Sequence, residues 1–92
     1  MKLTELQERA LWSYAKVRTL KQISGPLTLQ DFQEESKMSW AQLNGVVASL
    51  RQKEIVQVDS DGITLTPTGE RWLIENRVVD EDGRWIDWEK VR

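Results

Sequence analysis

Hydrophobic residues recur at helical spacing from the start of the chain: Leu3, Leu6, Ala10, Tyr14, Val17 and Leu20 fall on one stripe of a helical wheel. Thr4 followed by Gln7 has the form of a capping box, in which the Thr side chain takes a backbone N–H and the Gln side chain returns the bond. The pattern predicts a first helix that runs to about Ile23 and is ended by Ser24-Gly25-Pro26. Leu11, Trp12 and Ala15 lie off the stripe and give this helix a second apolar patch.

Leu27, just past the breaker, suits a short extended segment. Thr28 with Asp31 reads as the next helix start, with the acid in the first turn where the helix dipole favours it. This helix is short, Leu29 to Ser36. After a turn at Lys37–Met38, Ser39 and Gln42 make a second capping box. Leu43, Val46, Val47 and Leu50 keep core spacing on a third helix that reaches about Lys53. The period then changes. Ile55–Val58 and Ile63–Leu65 have strand composition, and the Asp61-Gly62 pair between them is a hairpin signal. Thr66 suits an N-cap and Pro67 the first helical position, where its missing N–H costs nothing, so a fourth helix is predicted from Pro67 to about Val79. Asp82-Gly83 marks a turn, and Trp85, Ile86 and Trp88 fit either a strand or one helical turn. The expected fold is mainly α with a small β-hairpin (α+β), in the order helix-(strand)-helix-helix-strand-strand-helix. Residues 1–79 form one domain, and 80–92 an acidic, Trp-containing tail.

Composition narrows the chemistry. The 92 residues include no Cys and no His, which removes thiolate sites, the commonest metal ligand and the usual general base near neutral pH. No Gly-rich phosphate loop or paired carboxylates stand out, so neither an enzyme nor a bound cofactor or metal is expected. Asp59-Ser60-Asp61-Gly62 lacks the further acids of a calcium loop and reads as a turn. No apolar run approaches the ~20 residues of a membrane span. The N-terminus lacks the apolar core of a signal peptide, and a soluble, cytoplasmic protein is expected. The net charge of −2 is uneven: residues 1–53 hold eight Lys/Arg against five Asp/Glu (+3), residues 54–92 five against ten (−5).

Two stretches carry a resemblance. Met38 to Val56, MSWAQLNGVVASLRQKEIV, is similar to the third helix of the winged helix-turn-helix superfamily, in particular of small bacterial MarR-like regulators, where a capped apolar row leads into a wing. Leu65 to Gly69, LTPTG, matches that family's frequent Leu-Thr-x-x-Gly between the last wing strand and the next helix. The resemblance implies a transcriptional regulator that binds double-stranded DNA with its third helix in the major groove. By position, Ser39, Trp40, Gln42 and Asn44, with Gly45, would face bases, and Lys37, Arg51 and Lys53, joined by Lys16, Arg18 or Lys21, would meet phosphates. Gln and Asn can bond adenine bidentately, and Gly45 and Ser49 are small enough to admit a backbone.

Each assignment has a plainer counterpart. Ser39 and Gln42 cap a helix in either case, Asn44 suits a solvated surface, and the Lys and Arg residues serve solubility. The acidic hairpin tip would repel phosphate, so a DNA-bound wing would stay clear of the duplex. Five Trp residues are many, and exposed aromatics mark interfaces. Leu11, Trp12, Ala15, Trp85 and Trp88 are the candidates for a homodimer or protein-partner contact, unless the tail packs back on the first helix. The acidic wing and tail keep open a winged-helix protein-interaction module with no DNA affinity and, more remotely, a DNA mimic.

Overall fold

The computed structural model describes residues 2–91; the first and last positions of the domain and tail lie outside the described residues. Its elements are α1 (Glu5–Leu20), α2 (Leu29–Ser36), α3 (Trp40–Gln52), β1 (Val56–Asp59), β2 (Gly62–Leu65), α4 (Pro67–Glu75) and a final turn α5 (Trp88–Val91). The arrangement is α+β: four principal helices and an antiparallel hairpin. Four helix starts are set locally. Thr4, Thr28, Ser39 and Thr66 are extended N-caps whose side chains each accept a backbone N–H three residues on, and Thr4–Gln7 and Ser39–Gln42 close reciprocal capping boxes.

The stop signals differ from expectation. α1 ends at Leu20 because Gln22 turns left-handed (φ 52°), ahead of Gly25-Pro26. α4 ends at Glu75, short of Val79, because Arg77 is also left-handed (φ 57°). That turn drives Val78 and Val79 into the core and lets Val79 bridge to Trp85. α2 closes on a left-handed Lys37 (φ 58°), so Met38 drops into the core between α2 and α3.

The hairpin pairs Val56 with Leu65, Gln57 with Thr64, Val58 with Ile63 and Asp59 with Gly62. Leu27 adds a one-residue bridge on the far side of β2, through Leu27 N–H to Ile63 O (2.9 Å) and Ile63 N–H to Leu27 O (2.8 Å). Tyr14 secures the same point from α1, its hydroxyl donating to Ile63 O (3.0 Å).

α1 runs through the middle and packs against α2, α3 and α4. Both of its apolar patches therefore have interior members: Ala10, Tyr14 and Val17 on one side, Leu11 and Ala15 on another, with Trp12 left exposed. Leu20, placed on the core stripe by the pattern, is 61% exposed. α3 contributes Leu43, Val46, Val47 and Leu50, and the core is completed by Phe32, Met38, Ile55, Ile63 and Leu73. Leu-Thr-x-x-Gly gains a physical meaning here. Thr66 caps α4 and bonds back to the Glu54 and Ile55 carbonyls, while Gly69 lets the helix lie directly on the Ile55 carbonyl, where a Cβ would have no room.

The tail lies against this body. Trp85 N–H donates to Thr19 Oγ1 (2.8 Å), Ile86 N–H to Val78 O (2.9 Å), and Trp88 Nε1 to Arg77 O (2.9 Å). No helix among the described residues is long and apolar enough to cross a membrane.

Candidate nucleic-acid interface

α3 presents one face inward and one outward. Trp40, Ala41, Asn44, Gly45, Ala48, Arg51 and Gln52 are all exposed, alternating at helical spacing with the four buried residues. The expected base-facing residues divide into two groups. Ser39 and Gln42 are occupied with each other: Ser39 Oγ accepts Gln42 N–H (3.1 Å), and Gln42 Oε1 accepts Ser39 N–H (3.2 Å). The same oxygen also accepts the Ser39 hydroxyl (3.4 Å), so Ser39 takes both lone pairs that bidentate recognition would use while the cap persists. Trp40, 50% exposed, and Asn44 have no such duty. Ser49 is turned inward, donating to Val46 O (2.7 Å) and accepting from Gln7 Nε2 (2.8 Å), so it joins α3 to α1 and offers no outward face.

The cations also divide. Lys16 pairs with Glu35 (2.8 Å), Lys21 with Asp31 (2.9 Å), and Arg18 with Glu70. These three pairs tie α1 and the residue after it to α2 and α4. In the Lys21–Asp31 pair, the hydrogen bond and attraction raise the ammonium pKa, and the same hydrogen bond lowers that of the carboxyl. Burial raises the pKa of the Tyr14 phenol. Lys53 turns back as well, donating to Gln7 Oε1 (3.0 Å) and Lys2 O (3.4 Å). Lys37 and Arg51 remain exposed, and neither forms an ion pair among the described residues. α3 itself holds no carboxylate, in a chain with fifteen. Arg51 does share a groove of about 610 Å³ with Glu54 and Asp59, at the end of α3 nearest the hairpin.

The hairpin tip is acidic and exposed, with Asp61 N–H bonded to Asp59 Oδ1 (2.8 Å) in an Asx turn. It sits beside Thr28 and Leu29 at the start of α2. No family model, curated protein or solved structure matches the chain.

The interior of α3 carries a further signal that is present in the sequence. Asn44 and Gly45 stand side by side in the middle of a 13-residue helix. Asn is a weak helix former and Gly weaker still, by roughly 0.5–1 kcal/mol each against Ala. Nothing inside the protein accounts for them: both are exposed, and a Cβ built on Gly45 meets nothing within 4 Å.

The expected self-contact surface must be corrected. Leu11 and Ala15 are fully buried within the chain, because α1 is enclosed on several sides, and they offer nothing to a second molecule. Trp12 (38%) and Trp88 (46%) are exposed, and Trp85 is half-buried with its ring edge-to-face on Trp12 at 5.1 Å. Lys16 Nζ lies 5.4 Å from both the Trp12 and Trp85 rings. With Leu20, Asp87 and Glu89 these residues line a shallow hollow of about 300 Å³.

Proposed function

We propose that this chain is a winged-helix DNA-binding protein, a small transcriptional regulator that lays α3 in the major groove of a duplex. One observation carries the reading: the outward face of α3 holds a helix-weakening Asn44-Gly45 pair with no internal partner. Local rules are broken in this way where a surface serves something outside the fold. The absence of any carboxylate on α3, and the unpaired Lys37 and Arg51 beside it, favour a polyanion as the partner. The order of helix, Leu27 bridge, helix, helix, hairpin and helix suits a winged helix, with the hairpin as wing. Asp59 and Asp61 keep the wing tip off the phosphates, so α3 and Lys37 carry the contact.

Anisotropy titration of a labelled random-sequence duplex tests this. Affinity is expected to fall with salt along a shallow log–log slope, of roughly −2, because Lys37 and Arg51 neutralise about two phosphates. No binding at low salt would remove the DNA reading.

A second observation favours a protein contact as well. Trp12, Leu20 and Trp88 form one exposed apolar patch. This is the surface proposed to join two copies of the chain. Sedimentation is expected to show a dimer that Trp12→Ala weakens by tenfold or more, the range of an aromatic anchor at an interface. A monomer at all concentrations would sink the homodimer and leave the patch to a different protein.

A further inference from the structure

Resting on the DNA reading, we infer that α3 reads A·T base pairs in the major groove, through Asn44. The argument is one of elimination across the exposed face. A bidentate contact to adenine needs a carboxamide with oxygen and nitrogen both free, the oxygen to accept from N6 and the nitrogen to donate to N7. α3 and its cap present three Gln/Asn side chains on or near this face. Gln42 has its oxygen engaged twice, by Ser39 N–H and by the Ser39 hydroxyl, and Gln52 closes the last turn, twelve residues along from Trp40. Asn44 has neither constraint: it is exposed, central and without a hydrogen bond among the described residues.

Its neighbours point the same way. Residues three and four away lie next to one another on a helix; around Asn44, Val47 is buried, and Trp40, Ala41 and Ala48 are exposed beside it. They present two methyl groups and an indole, the apolar surface that meets the thymine C5-methyl. Gly45 beside them lets the groove floor approach. The opposite readings are less well equipped at the centre of the helix. Cytosine is read by a carboxylate accepting from N4, and α3 has none. Guanine is read by Arg or Lys. On this face the helical cation is Arg51, seven residues from Asn44 and thus about 10 Å along the axis, while Lys37 stands before the cap.

Three duplexes of equal length test this: alternating A·T, alternating G·C and alternating inosine·cytosine. Inosine·cytosine has the major-groove pattern of G·C and the minor-groove pattern of A·T. The protein is expected to bind the A·T duplex roughly fivefold to 150-fold more tightly than both others, the discrimination of one bidentate pair. Replacing thymine by uracil should weaken that binding, because only the methyl is lost. Asn44→Ala, at an exposed helical site where Ala is the better helix former, should bring the three affinities together and leave the salt slope unchanged. Equal, salt-dependent binding of all three duplexes by the native protein would overturn the inference while the DNA reading stands. So would inosine·cytosine binding like A·T, since the readout would then lie in the minor groove. No binding to any duplex at low salt would overturn both.

Discussion

Gly62→Ala is expected to lower the stability of the fold by about 3 kcal/mol or more, combining ~1–3 kcal/mol of backbone strain with ~1–3 kcal/mol of overpacking. Gly62 opens β2 at φ 134°, a conformation that L side chains rarely adopt. A Cβ there would also collide with the Leu27 carbonyl oxygen and lie 2.9 Å from Leu27 C. These are backbone atoms and cannot swing aside as the end of a side chain can. Making room would push Leu27 off β2, and with it the paired bonds between Leu27 and Ile63 and the anchor that Tyr14 places on Ile63 O. Both Leu27 and Ile63 are fully buried. Gly83→Ala is the matched control: φ there is 81°, but a Cβ would stand in open space, so only the conformational part, ~1–3 kcal/mol, applies. Urea denaturation of the two variants should show Gly62→Ala clearly the more destabilised at an unchanged m-value. Equal losses would mean that the Leu27 bridge contributes nothing to the fold.

The contrast between those two glycines also marks what the sequence could tell. Asp-Gly between two apolar runs announced a hairpin, and the strands formed within a residue of the expected places, because turn chemistry is local. The same holds for α2, whose ends agree with the reading: Thr28 and Asp31 define the start, and the chain must turn before Ser39 can cap the next helix. Long-range relations were not legible. Nothing near Gly62 in the sequence says that Leu27 lies against it, and nothing near Arg18 says that Glu70 answers it from 52 residues away. That pair joins α1 to α4. Wheel geometry likewise assigned Leu11 and Ala15 to a surface because it assumed that α1 has one buried side, whereas three helices enclose it. The candidate site was half legible. Asn44 and Trp40 could be placed outward from period alone, but Lys53 could not be known to reach back to Gln7, nor Ser49 to face α1.

Replacing Asn44 and Gly45 together by Ala should make the protein more stable and a poorer DNA binder. Both positions are exposed in the interior of α3, and the Gly45 site has open space for a methyl group. Helix propensity then acts without opposition: about 0.5–0.7 kcal/mol for Asn and ~0.8–1.0 kcal/mol for Gly, together about 1.5 kcal/mol. For a domain of this size that is a rise in Tm of roughly 6–12 °C. On the binding side, losing the Asn44 carboxamide removes a contact worth about 1–3 kcal/mol between matched and mismatched bases. The Gly45→Ala methyl holds the helix away from whatever approaches it. The two effects have opposite signs, which separates this test from ordinary loss of function by unfolding: a variant that melts higher and binds A·T duplex tenfold or more weakly has lost a site, not a fold. A gain in stability with undiminished affinity would place the DNA contact elsewhere. Unchanged or lower stability would mean that Asn44 and Gly45 have internal work to do after all, and would remove the observation on which the function of α3 rests.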